Sequence, residues 1–306
     1  MKAIVIQQYG GPEQLVMQDL PDPEPMSGHV VIEVKAFGIN HAETHMRKGE
    51  WAEAAKVSGI ECVGLVAACP GGEFTVGQKV AALMGGMGRT INGSYAEYTR
   101  VPTSNVVPIE SGLSWEELAA IPESYATAWT CLHRNLDLRA GQTLVIRGAT
   151  SALGQAALNI AAQAGAQVTA TTRNRERISK LEALGAQRVE LEGSDLSRRI
   201  PKPSDAVLDL IGNSTILDSL GMVGAADVFA WPDSWAVSHP SPRSTHCCRC
   251  LAESSGASLA ASCLVCQSFL YQMSRSRPSS SGRRPGATRL NRHGFFALMR
   301  SARLIE

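Results

Sequence analysis

No run of about 18 apolar residues occurs in this 306-residue chain, which argues against a transmembrane helix. An excess of one charge is lacking too. Lys and Arg number 29 against 28 Asp and Glu, a net charge of +1, so no global field marks nucleic acid or an anionic membrane as a partner. The opening segment MKAIVIQQYGG has one Lys and no cleavable apolar core; it reads as a strand rather than a leader, and a cytoplasmic enzyme is expected. Cysteine is sparse over most of the chain. Cys62, Cys69 and Cys131 stand alone before Cys247, Cys248, Cys250, Cys263 and Cys266 crowd together. The run SRSRPSSSGRRPG, Ser274 to Gly286, lies in the same stretch, so two composition regimes meet near Met222.

What is present is ordinary for a globular protein: 44% hydrophobic and 19% charged residues. The length suits two domains of roughly 100–200 residues each. Residues 1–112 break into short strand-like pieces between Gly and Pro turns. Val30, Ile32, Val34 and Ala36 alternate with Val31, Glu33 and Lys35, the period of a half-buried strand. Similar pieces at 64–68, 79–83, 94–101 and 105–109 predict a β-rich, barrel-like domain. The pattern changes at Ser114, three residues before Glu117, a capping box that opens a helix. From Thr143 the chain runs strand TLVIRGA, glycine turn, helix, strand QVTATT, helix RERISKLEALG, strand RVELEG and strand AVLDLIG. That alternation predicts βαβ units on a parallel sheet, an α/β fold. The expected organisation is a β-rich substrate or catalytic domain at 1–112, a partial dinucleotide domain at 113–223 and an aberrant tail at 224–306.

The segment Gly148-Ala-Thr-Ser-Ala-Leu-Gly154 joins the end of a predicted strand to the start of a predicted helix. Glycines let the backbone approach a pyrophosphate, and a helix N-terminus offers free N–H groups and a positive dipole end. Gly148, Ala149, Ser151, Ala152, Leu153 and Gly154 are therefore candidate cofactor contacts. A turn that merely closes a βα unit is the bland alternative, and the flanking strand and helix weigh against it. After the next strand, where an acid would hold ribose hydroxyls, the chain has Thr171-Thr172-Arg173-Asn174-Arg175. Guanidinium groups suit a 2′-phosphate, which favours NADPH over NADH and nominates Arg173; an ordinary solvated helix start is the alternative.

Gly10-Gly11-Pro12-Glu13, Phe37-Gly38-Ile39-Asn40, Arg147–Gly154 and Glu182-Ala-Leu-Gly-Ala186 occur in family order. Over roughly residues 1–223 the chain resembles the zinc-free, zeta-crystallin-like quinone oxidoreductases of the medium-chain dehydrogenase/reductase superfamily. The resemblance implies a GroES-like N-terminal domain, a Rossmann-type sheet, NADPH as cofactor, a small quinone or carbonyl/enone substrate and a homodimer. The family's second loop glycine is Ser151 here, and its basic helix residue falls at Arg177, which would share the 2′-phosphate with Arg173. The cleft between domains would be lined by Asn40, Tyr125, Thr127 and Tyr95. Asn40 would position substrate or ribose and Tyr125 would polarise the carbonyl; Tyr125 as an interface residue with a satisfied hydroxyl stays open.

Zinc alcohol dehydrogenases share the implied fold, but their catalytic Cys aligns with Asn40 and the ligand of their Gly-His-Glu segment with Ile60. An amide and an alkyl side chain cannot replace thiolate and imidazole on zinc. Met84–Tyr95 lacks the clustered cysteines of a structural-zinc lobe, so no metal is expected, and Cys62, Cys69 and Cys131 read as small buried hydrophobes.

The C-terminal stretch departs from the family. Codons chosen for Asp227 to Val237, read from the third base, yield Arg-Val-Cys-Leu-Ala-Gly-Phe-Leu-Gly-Gly, much like the family's next strand and turn. The same offset recodes Arg292 to Glu306 into something like the family's closing segment. We read a shift of frame near Gly221–Gly224, which makes 224–306 an irregular, out-of-frame tail. The Cys cluster then carries no expected zinc module and the Arg-Ser run no expected nucleic-acid role. The parallel sheet is expected to be truncated after about four strands, with the dimer edge lost and activity impaired. A non-catalytic NADPH-binding protein is the alternative from another class, and a zinc alcohol dehydrogenase is disfavoured.

Overall fold

The computed structural model describes residues 1–51, 53–200, 203–212 and 214–230, with 224–230 as strand backbone. The tail's cysteine cluster and Arg-Ser run lie outside the described residues. The described chain forms two compact units, residues 1–123 and residues from 124 onward.

In the first unit β1 (Lys2–Ile6) pairs antiparallel with β2 (Leu15–Asp19). Next come β3 (His29–Ala36), α1 (His41–Lys48), β4 (Glu61–Ala68), β5 (Lys79–Leu83), β6 (Tyr98–Pro102) and β7 (Val106–Pro108), then α2 (Trp115–Ala119). The five longer-range strands make one antiparallel sheet in the order β6-β3-β4-β5-β7. Val30, Ile32, Cys62, Val66, Val80 and Val101 pack into one core, the burial that β-branched alternation predicts. Val31 is buried as well, so the alternation in β3 is weaker than its spelling suggests.

The helix opened at Ser114 belongs with this sheet. Ser114 Oγ accepts from Glu117 N at 3.3 Å and Glu117 Oε2 accepts from Ser114 N at 2.9 Å, closing the capping box. Leu118 and Ala119 of α2 then pack with Val63, Ala81, Val107 and Ile109 on the β-rich unit, which continues past residue 112 to Glu123. Cys62 and Cys131 are buried, while Cys69 is half-buried.

The helix α3 (Pro122–Trp129) leads into the second unit. There β8 (Thr143–Arg147), α4 (Ala152–Gln163), β9 (Gln167–Thr172), α5 (Ile178–Ala183), β10 (Arg188–Leu191), α6 (Leu196–Arg199), β11 (Ser204–Asp209) and α7 (Ile216–Leu220) alternate. All strand pairs are parallel, in the order β10-β9-β8-β11. The small side chains of Ala156, Ala157 and Ala161 are buried and let α4 lie close on β8 and β9.

The α/β class and the truncated parallel sheet are as expected, with four strands before residue 223. A fifth, β12 (Val223–Ala230), continues the sheet beside β11 and crosses the expected junction at 224. Its register jumps: Val223 pairs with Ser204, but Val228 pairs with Ala206. The short segment Val228–Ala230 pairs with Ala206–Leu208 and satisfies that part of the edge of β11.

Candidate active site

The loop after β8 is built by two glycines and one serine. Gly148 turns the chain at φ +75°, a left-handed corner that other residues rarely adopt. Ser151 caps α4: its Oγ accepts from Gly154 N at 3.0 Å while its hydroxyl donates to Gly148 O at 2.9 Å. Gly154 sits where a Cβ would come within 2.5 Å of Gly148 O, so a larger residue would push the helix off the loop. Ser151 and Ala152 are exposed at the crest and Leu153 is half-buried, whereas Ala149 is buried beneath them. The N–H groups of Ala152 and Leu153 precede any intrahelical partner and lie at the positive end of α4.

Below the loop lies a charged cluster that sequence reasoning missed. Arg147, the last residue of β8, is wholly buried. Its Nη1 donates to Asp218 Oδ2 at 2.9 Å and Ser219 Oγ at 3.0 Å, while Nη2 donates to Glu192 Oε1 and to Gly193 O. Asp209, also buried, accepts from Ile211 N, Gly212 N, Thr215 Oγ1 and Ser219 Oγ. Glu192 further accepts from Thr171 Oγ1 at 2.7 Å. Burial opposes the Arg147 charge, but the hydrogen bond it donates to Glu192 and the charges of Glu192, Asp209 and Asp218 outweigh it and raise the guanidinium pKa. The only sequence signal was an arginine at the end of an otherwise apolar strand.

Beyond β9, Arg173 and Arg177 are both exposed on the turn into α5. Asn174 Oδ1 accepts from Glu176 N at 2.9 Å and caps the intervening helical turn. No carboxylate follows β9 directly. Glu192, the acid just past β10, is already engaged by Arg147 and Thr171. This end of the sheet therefore presents N–H groups at the helix tip and, beyond β9, the guanidinium groups of Arg173, Arg175 and Arg177 around one exposed acid, Glu176.

In the first unit, Asn40 begins α1 and is half-buried. Its Nδ2 donates to Glu61 Oε1 at 2.8 Å, and its backbone N–H donates to Glu43 Oε2 at 2.6 Å. Glu61 Oε2 accepts from Glu123 N at 2.8 Å, at the first turn of α3. Burial pushes the Glu61 carboxyl up to about 7, against the Asn40 and Glu123 hydrogen bonds and helped by the Glu123 and Glu43 charges. Burial raises Glu43 as well. Sequence reasoning passed over both acids; Glu61 sits beside Ile60, where only the missing zinc ligand drew notice. Ile60 is buried and its N–H donates to Glu43 Oε1 at 3.0 Å.

Tyr95 is held within the first unit. It is buried, stacks on Phe37 at 4.6 Å and gives its hydroxyl proton to Glu43 Oε2 at 2.7 Å, so its polar end is committed internally. His45 is buried and paired with Glu50. Tyr125 and Thr127 are half-buried on α3 within the second unit. Two residues apart on a helix, they do not share a face.

Residues 26–111 match the model of the alcohol dehydrogenase GroES-like domain. The chain is 28% identical over 237 residues to a quinone oxidoreductase of Lama guanicoe, covering 73% of this chain and 70% of that one. Among solved structures it resembles an NAD-dependent alcohol dehydrogenase with a TM-score of 0.72 and 29% identity, covering 77% of this chain and 78% of that one. A probable oxidoreductase from Mycobacterium abscessus matches with a TM-score of 0.66 and 30% identity, covering 76% of this chain and 74% of that one.

Proposed function

This chain belongs to the medium-chain dehydrogenase/reductase superfamily and is quinone-oxidoreductase-like, and from that premise we propose that it transfers hydride from NADPH to quinones or related carbonyl and enone substrates without a metal. The observation that carries the cofactor choice is the end of β9, where three exposed guanidinium groups, Arg173, Arg175 and Arg177, surround a single acid, Glu176, and Glu192 is already engaged by Arg147. Gly148, Ala149, Ser151, Ala152, Leu153 and Gly154 would hold the pyrophosphate, with the Ala152 and Leu153 N–H groups facing it. Arg173 and Arg177 would hold the 2′-phosphate. When bound, the nicotinamide supplies the hydride.

Reduction of a quinone or enone builds negative charge on an oxygen, and aimed hydrogen-bond donors can carry that charge without a metal. Tyr125 would give its hydroxyl to that oxygen; burial raises its phenol pKa, so it keeps its proton. Asn40, its amide held by Glu61, would orient substrate or ribose, and Thr127, on another face of α3 from Tyr125, would add a hydroxyl for binding.

The continuation beyond β12 departs from the family pattern, and we take it as a translation in a shifted frame that impairs turnover and removes the dimer edge. We place the protein in the cytoplasm, with no nucleic-acid or membrane partner. The test is titration of the chain with NADPH and NADH, followed by NADPH oxidation against a panel of quinones, with the frame-repaired chain alongside. We expect tighter NADPH binding and faster turnover after repair. Equal affinity for both cofactors would defeat the cofactor choice. Binding without turnover in the repaired chain would favour a non-catalytic NADPH-binding protein.

A further inference from the structure

A threonine hydroxyl has one proton to give and lone pairs with which to accept. Thr171, fully buried in β9, gives its proton to Glu192 Oε2 at 2.7 Å. What it turns toward Gly148 N, 3.1 Å away, is therefore an acceptor. The main-chain oxygen of the same residue accepts from Ala149 N at 3.2 Å. One residue thus holds two successive amides of the phosphate loop, one through its side chain and one through its backbone.

The direction of the Thr171 hydroxyl is set from below. Glu192 faces the Arg147 guanidinium through both carboxylate oxygens, and a carboxylate so held only accepts. Arg147 is itself fixed by Asp218, Ser219 and two main-chain carbonyls, at Thr215 and Gly193. The guanidinium is spread over β8, the segment after β10 and α7, so it has little freedom to turn away. Hydrogen bonds chained in a buried setting polarise one another, and here every member has its partner.

We propose that Thr171, oriented by the Arg147–Glu192 ion pair, is the positioning residue of the phosphate loop. It fixes the Gly148 amide, and through it the left-handed corner from which the Ser151 cap and the N-terminus of α4 follow. The identity of the ligand rests on the dinucleotide assignment above; the ordering of the loop does not. An ion pair that merely braced the sheet would leave the loop indifferent to the Thr171 hydroxyl.

The test uses the full chain and three variants, Thr171→Val, Thr171→Ser and Arg147→Lys. Amide hydrogen exchange of residues 148–154 is measured without ligand, and NADPH affinity by fluorescence titration. Thr171→Val keeps the shape and removes the acceptor, so exchange in the loop should quicken and NADPH should bind about two- to twelve-fold more weakly, the range of one neutral hydrogen bond. Thr171→Ser keeps the hydroxyl and should stay near wild type in both, although it loses the methyl packing that a bracing role would need. Arg147→Lys keeps the charge but not the fork, and should loosen the loop in the same direction. Unchanged loop exchange in Thr171→Val, or a serine variant as perturbed as the valine one, would overturn the proposal. Should the valine variant not fold, wild-type loop exchange in Arg147→Lys overturns it instead. A wild-type chain that binds no NADPH would sink the dinucleotide assignment, while the exchange measurement still decides the positioning claim.

Discussion

Asn40 and Glu61, twenty-one positions apart, are joined by a 2.8 Å hydrogen bond from the amide Nδ2 to the carboxylate Oε1. The other oxygen of Glu61 accepts from Glu123 N at the first turn of α3. One buried carboxyl thereby ties the start of α1 to Glu123, where the first unit ends. Gly38 leaves room for it: a Cβ there would lie 2.1 Å from Glu61 Oε1.

This carboxyl should make stability fall with rising pH. Burial moves Glu61 from its ordinary value of 4.5 up to about 7, so the folded chain holds a proton that the unfolded chain releases. The stabilisation is complete below the unfolded value and is lost as pH rises through about 7, by at most ~3 kcal/mol. Glu61→Gln, neutral throughout, should flatten the fall in urea midpoint between about pH 5 and about pH 8. Glu43, raised by burial too, leaves a residual slope of the same sign. A wild-type midpoint that rises over that interval would contradict the assignment.

Arg173→Ala should weaken NADPH binding by about ten- to a hundred-fold, the size of a charge-assisted hydrogen bond, and leave NADH nearly unchanged. Arg177→Ala should act in the same direction. Titration of both variants with both cofactors decides this, since loss of NADH binding in step with NADPH would point to loop damage instead.

Gly154→Ala should be among the most disruptive small changes in the second unit. The new methyl would lie 2.5 Å from Gly148 O and 2.7 Å from Ala149 Cα, and backbone cannot swing aside as a side chain can. Overpacking of this kind costs about 1–3 kcal/mol. Ser151→Ala, which removes the helix cap, should cost ~1 kcal/mol and serves as the milder comparison. Thermal midpoints of the two variants should rank in that order.

Turnover with NADPH and a quinone should survive a strong chelator, and Asn40→Ala should slow it without altering metal content. The tail cysteines could bind zinc adventitiously, so the metal is best counted after Cys247, Cys248, Cys250, Cys263 and Cys266 are changed to serine. Stoichiometric zinc in that protein would defeat the metal-free chemistry.

Features whose determinants lie within a few residues of one another were legible in the sequence. The Ser114–Glu117 capping box, the Gly148–Gly154 turn and the alternation of strands with helices from Thr143 onward all follow from local spacing, because backbone hydrogen bonds and side-chain periodicity act over one or two turns. The arginine that stands immediately after β9, where an acid is usual, could be read for the same reason. Partners that meet only when strands assemble could not be read. Arg147 finds Glu192 and Asp218 across 45 and 71 positions, and Tyr95 reaches Glu43 across 52. Such pairings depend on which strand ends the sheet order brings side by side, and a buried charge must take whichever partners arrive there. The sequence by itself determined the βαβ alternation, the glycine turn at Gly148–Gly154 and the guanidinium groups beyond β9. Only the tertiary structure decided that Glu192 serves Arg147 and Thr171, that Tyr95 is spent on Glu43, and that Glu61 holds Asn40, because desolvation forces each buried polar group onto a neighbour supplied by distant chain.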